Sequence, residues 1–273
     1  MRFQLGAMSV GDILDRGIKL LFSRLGTFYA INLLVQSPIL LYSLFAADMG
    51  ASIGSLGALP MVLSTLGMVL LSMMVYAIGM AAVLKVVEQE YLDHKIGVGT
   101  ALGFAFRRFV PLVAVSFIYG LVVSVGMIMC FIPGLIFMSM FAFASQAVVL
   151  EGVGPIKGMD RSEKLTRRYR WRIFGILILV GILNFMVSGV LNIGLQFVLP
   201  GTEFVRDAQG HPVAQIIFTN YLIDTVIVTL LNILITTYGT VCLTLAYFDL
   251  RVRKEGYDLE VAAQGEAPVA EVL

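Results

Sequence analysis

The sequence predicts an all-α integral membrane protein with six transmembrane helices, and three observations carry that prediction. Hydrophobic residues make up 59% of the 273 residues and charged ones only 14%, with a mean hydropathy of +0.91, outside the usual range of soluble domains. Six stretches, near 25–47, 58–84, 109–130, 132–150, 173–199 and 222–248, approach or exceed the roughly 20 apolar residues that a helix needs to cross a hydrocarbon core. They are continuously apolar, as in "GILILVGILNFMVSGVL", whereas the strands of a membrane barrel alternate.

The first span is expected to stay in the mature protein, because it lacks the charged, apolar and small-residue pattern of a cleavable signal and follows an amphipathic segment. Just ahead of it, "MSVGDIL" at 8–14 opens a helix with Ser9 as N-cap and Asp12 three residues on, and Val10, Ile13, Leu14, Gly17, Ile18 and Leu21 form one stripe. "IGVGTAL" at 96–102 repeats the pattern with Val98, Ala101, Leu102, Ala105, Phe106 and Phe109. "EGVGPIK" at 151–157 repeats it again, with Pro155 suited to a first helical turn and Asp160–Lys164 and Glu163–Arg167 as i,i+4 pairs. The predicted architecture is therefore three repeats, about 8–95, 96–150 and 151–258, each an interfacial amphipathic helix plus a transmembrane hairpin within a domain over 1–260. "CFIPG" at 130–134 is expected to turn the third span into the fourth, and "PGTEFVRDAQGHPV" at 200–213 is the longest outer loop. Residues 261–273 carry no helical stripe and read as a disordered cytoplasmic tail.

Orientation follows from the cations, because positively charged loops resist translocation. Under six spans, all of the 19 Lys and Arg except Arg206 fall on one side, seven of them in "KGMDRSEKLTRRYRWR" at 157–172. Both termini are then cytoplasmic and the protein belongs in the inner membrane. Arg107, Arg108, Arg161, Lys164, Arg167, Arg168, Arg170 and Arg172 are the candidates for contact with anionic lipid headgroups or a membrane-protein partner. No second basic surface supports nucleic-acid binding.

Polar residues inside the spans are the other informative set. Asn32 and Gln36 in the first span lie four residues apart, as do Asn184, Ser188, Asn192 and Gln196 in the fifth. Asn220, Asp224, Asn232, Thr236, Thr240 and Thr244 continue the spacing in the sixth, with Val228 interrupting. Four residues advance about 400° around a helix, so each set forms a slowly winding stripe that faces protein or water. Two readings stay open: interhelical hydrogen bonding, or a polar cavity among spans one, five and six that admits a lipid headgroup or small solute. Asp224 is either functional or simply solvated near the outer end.

Catalytic patterns are weak. "GASIG" at 50–54 matches a nucleophile elbow in letters, but that motif needs a strand-to-helix turn, and an outer loop is expected here. "GVGTALG" and "GVGPIKG" lack the preceding strand and spacing of a phosphate-binding loop. His94 and His211 fall on opposite sides, which excludes a shared metal site, and no cofactor is expected. Cys130 and Cys242 lie near opposite membrane faces, too far apart for a disulfide.

"MDRSEKLTRRYRWRIFGILIL" at 159–179 resembles the bacterial and archaeal family known as the membrane domain of glycerophosphoryl diester phosphodiesterase, through Arg161, Ser162, Leu165, Thr166, Arg167, Arg168, Trp171 and Arg172. "ALGFAFRRFVPLV" at 101–113 resembles the preceding repeat of that family, and the likeness extends over about 8–255. It implies a six-span membrane module with a lipid connection, while the phosphodiesterase barrel fused in some members has no counterpart here. The expected function is a non-enzymatic membrane protein that docks partners or organises lipid through its basic face. The alternatives are a transporter or channel for a lipid or small amphiphile, using the polar stripes, and, third, an intramembrane enzyme.

Overall fold

The computed structural model describes residues 8–55, 58–92, 94–198, 202–206, 212–216, 218–257 and 259. The predicted tail at 261–273 lies outside them. Six helical segments, Leu25–Tyr42, Ala58–Tyr91, Val98–Met129, Phe131–Leu150, Arg170–Leu191 and Thr225–Glu255, are long and apolar enough to cross a membrane. Large side chains such as Leu63, Leu70, Phe117 and Phe185 point outward from these segments, exposed as a bilayer requires.

Helix α1 (Val10–Ser23) starts as its sequence dictates. Ser9 Oγ accepts the Asp12 N–H at 3.1 Å and the Asp12 carboxylate accepts the Ser9 N–H at 2.8 Å, a reciprocal capping box. These bonds from Ser9 hold the Asp12 carboxyl below the usual carboxylate range. Ile13, Gly17, Leu20 and Leu21 are buried, whereas Ile18, included in the predicted stripe, is exposed. The docked face is thus turned slightly from the predicted one. Gly17 sets its closeness: a Cβ there would meet Cys242 Sγ at 2.7 Å and the Tyr238 ring at 3.3 Å. Gly17→Val is expected to destabilise the fold by about 1–3 kcal/mol through overpacking, seen as a lower unfolding temperature in detergent; an unchanged temperature would show that α1 docks loosely.

Helices α2 (Leu25–Ser55) and α3 (Ala58–Tyr91) follow. "GASIG" at 50–54 is helical within α2, not a loop, so no strand-to-helix turn positions Ser52. The second interfacial helix and third span form one helix, α4 (Val98–Met129), with Pro111 inside it. Between Phe106 and Pro111 lie Arg107, Arg108, Phe109 and Val110, with no Gly or Asn to end the helix. Ala101 and Ala105 of the predicted stripe are buried, and Phe106 is exposed.

The turn after α4 is tighter than expected. Cys130 alone breaks the helix, and Pro133 and Gly134 sit in the first turn of α5 (Phe131–Met140), where a missing N–H costs nothing. Gly126 and Gly134 face each other across this hairpin, a Cβ on Gly126 falling 3.0 Å from Gly134 Cα. The fourth span is not one helix: it unwinds at Phe141–Phe143 and resumes as α6 (Ala144–Leu150).

Helix α7 (Pro155–Thr166) repairs that break. Ser162 Oγ donates to the Met140 carbonyl at 2.9 Å and accepts the Phe143 N–H at 3.1 Å, while Thr166 Oγ1 donates to the same carbonyl at 3.1 Å. Gly158 brings the helices together, since a Cβ there would fall 3.1 Å from the Ala144 oxygen. Pro155 occupies the first turn and Lys164 pairs with Asp160 at 2.7 Å, both as expected. Glu163 comes within 3.9 Å of Arg170, not Arg167, because the helix ends at Thr166 and Arg167 leaves it.

Helix α8 (Arg170–Val198) leads into a hairpin of β1 (Thr202–Arg206) and β2 (Pro212–Ile216), antiparallel with Thr202 opposite Ile216 and Arg206 opposite Pro212. Strands replace part of the predicted 200–213 loop because Thr, Phe and Val in "TEFVR" favour a pleated backbone. The longest helix, α9 (Phe218–Glu255), is the spine, touching α1, α2, α3, α7 and α8. Both cysteines are free thiols, Cys130 exposed and Cys242 buried against α1.

Candidate functional site

Two places concentrate polar chemistry: a charged end where α1, α3, α6, α7 and α9 converge, and a cavity between α2, α3 and α9. The aromatic stack of Tyr257, Phe248 and Tyr91 marks the level of the charged end, with ring centroids 5.8 and 4.5 Å apart.

Several candidate cations at that end are internal struts. Arg161 grips Glu151 through Nε and Nη2 at 2.8 and 2.9 Å and Glu255 through Nη2 at 2.6 Å and also through Nη1. Those carboxylates, Glu255 foremost, raise its guanidinium pKa. Tyr247 also donates to Glu151. Arg172 Nη1 lies 2.8 Å from Asp249, whose carboxylate also accepts the Met8 N–H at 2.6 Å and Arg253 Nε at 3.0 Å. Both Arg172 and Arg253 donate to the Met8 carbonyl as well. Arg108 donates to the Gly152 carbonyl at 3.3 Å, and Lys164 stays with Asp160.

What remains is a short outward-facing set. Arg167 and Arg168 are exposed, with no acidic partner among the described residues. Together with Arg170, Glu163 and Trp171 they line a surface groove. Trp171 is 87% exposed. Arg168 holds the left-handed backbone conformation, φ 78°, which costs an L residue about 1–2 kcal/mol. Lys254 offsets some of that cost by donating to the Lys164 and Arg167 carbonyls at 2.7 and 2.6 Å, capping α7. Arg107 is also exposed, but on α4 and outside this groove.

The cavity, about 230 Å³, differs in one wall from the predicted one. Asn32 and Gln36 of the first span line it, as do Asn232 and Thr236 of the sixth. The third wall is α3, with Ser72, Tyr76 and Gly79, rather than the fifth span. Asn184 and Ser188 open onto a separate groove on α8, and Ser188 reaches the cavity side by donating to Asn232 Oδ1 at 3.1 Å. Asn192, Gln196, Asn220 and Asp224 lie outside the described side chains.

Much of the sixth-span stripe serves its own helix. Thr236, Thr240 and Thr244 donate to the carbonyls four residues earlier, at 2.7, 3.0 and 2.6 Å, and Asn232 Nδ2 donates to Val228 at 2.9 Å. Across the helices, Asn32 Nδ2 donates to Thr237 Oγ1 at 3.2 Å, close to Gly79. Thr237 escaped the sequence reading because it lies beside Thr236 but off the four-residue spacing of that stripe, and Ser72 and Tyr76 because they stand in an otherwise apolar run.

Six helical segments long and apolar enough to cross a membrane, an amphipathic first helix and a partly buried charged end mark a multi-pass α-helical membrane protein. The chain belongs to the family described as Domain of unknown function (DUF7847), whose model matches residues 8–250. No curated protein and no solved structure gives a significant match. Nothing in these comparisons links the chain to glycerophosphoryl diester phosphodiesterase.

Proposed function

We propose that the protein is a non-enzymatic organiser of anionic lipid in the cytoplasmic membrane, with both termini cytoplasmic and the basic end against the inner leaflet. The observation that carries this reading is the division of the cations. Arg172 and Arg253 are consumed by the buried Asp249 and Arg161 by the partly exposed Glu151 and Glu255, while Arg167 and Arg168 project without acidic partners among the described residues beside an exposed Trp171. Two guanidiniums and an indole at a helix entry suit lipid phosphates at the headgroup level. The likeness of "RSEKLTRRYRWR" to a lipid-connected membrane module points the same way, and a protein partner reading the same face is the alternative that the test separates.

Each exposed cation contributes about 1 kcal/mol toward an anionic surface. The double variant Arg167→Gln/Arg168→Gln should therefore retain roughly 30-fold less anionic lipid, measured by mass spectrometry after gentle purification. Lys19→Gln, which alters an exposed cation already paired with Asp15 at 2.6 Å, should change retention little. Equal retention by all three proteins, or loss of a co-purifying protein with lipid unchanged, would overturn the lipid reading.

A further inference from the structure

The cavity between α2, α3 and α9 lies away from the charged end. Asn32 and Thr237 meet eleven residues along α9 from Phe248 and Gly79 lies twelve along α3 from Tyr91, placing the cavity roughly 16–18 Å from the aromatic stack. That is about half of a hydrocarbon core some 30 Å thick. The lining contains no charged residue. At about 230 Å³ the space is several times the roughly 30 Å³ share of one water.

Hydrogen-bonding capacity is left over on the walls. Among the described residues, neither the Gln36 amide nor the Tyr76 hydroxyl has a partner. Asn32 spends its amide N–H on Phe28 and Thr237, and its Oδ1 accepts nothing among them. Donors and acceptors thus converge without a counter-ion. A phosphate or ammonium here would be desolvated with no opposite charge, at a large cost. Tyr76 is 57% exposed and Thr236, also in the lining, is exposed, while Val69, seven residues before Tyr76 and so on the same face of α3, is 49% exposed, so the cavity opens toward lipid.

We propose that this cavity binds an uncharged lipid bearing a free hydroxyl, of the diacylglycerol class. Its hydroxyl donates to Asn32 Oδ1 or Gln36 Oε1, its ester carbonyls accept from Gln36 Nε2 and Tyr76, and its acyl chains remain in the bilayer through the opening. Binding needs no basic residue and stands independently of the lipid-organising reading above.

The test uses the full chain in nanodiscs with a diacylglycerol carrying a diazirine near one ester, illuminated and mapped by mass spectrometry. Labelling is expected on peptides around Gln36 of α2 and Tyr76 of α3. Excess dioleoylglycerol should compete, while dioleoyl phosphatidic acid and acetylated dioleoylglycerol, which lacks the hydroxyl, should not. Gln36→Leu and Tyr76→Phe, both at incompletely buried positions, should each cut labelling about tenfold with unchanged gel-filtration profiles. Absence of labelling there, labelling of both variants equal to the parent's, or competition by the acidic or acetylated lipid equal to that by dioleoylglycerol would overturn the proposal.

Discussion

Asp249→Asn is expected to lower stability by about 3–5 kcal/mol, the penalty for removing one partner from a buried ion cluster. The side chain is 2% exposed and is held by Arg172, Arg253 and the Met8 N–H at 2.6–3.0 Å. Asparagine keeps the shape but turns one acceptor oxygen into a donor facing two guanidiniums. The loss should appear as a drop on the order of 10 °C in unfolding temperature in mild detergent. Adding Arg172→Gln should recover part of it, because the stranded charge is then removed. If Asp249→Asn unfolds with the parent protein, the cluster does not hold the N-terminus to α9.

The second large effect is expected at the broken fourth span. Ser162→Ala with Thr166→Val strips both hydroxyls from Met140 O and leaves the Phe143 N–H without its acceptor. Two buried backbone groups without partners cost about 2–5 kcal/mol together. Hydrogen exchange should show the defect at residues 140–146 before the rest of the span opens. Uniform exchange across α5 and α6, equal to the parent, would mean that the break supports itself.

Both effects lie where the sequence was least legible. The spans could be read directly, because hydropathy is a property of each stretch alone. So could the Ser9–Asp12 box and the place of Pro155, which depend on residues three or four apart. The break at Phe141–Phe143 could not: "MFAFASQ" contains no Gly or Pro, and the unwinding is made tolerable by hydroxyls about twenty residues away. Glu151, Asp249 and Glu255 carry no local signal in the sequence; the fold alone brings Arg161 and Arg172 to them. Periodicity found the polar faces of α2 and α9, yet a stripe shows which residues share a face and not which helix they meet. Hence α3 took the place assigned to the fifth span.

The final turns of α9 carry a consequence for how the chain is made. Met8, α7 and the entry to α8 are all tied to residues 249–255, the end of the last described helix to leave the ribosome. Earlier hairpins can enter the bilayer as they emerge, but the charged knot cannot close until the last turns of α9 have been made. Until then Arg161 has Glu151 but not Glu255, and Arg172 and the segment beginning at Met8 wait without Asp249, so residues 249–255 act as a clasp, and a chain stopped before them would present that open clasp to the quality-control proteases of the membrane.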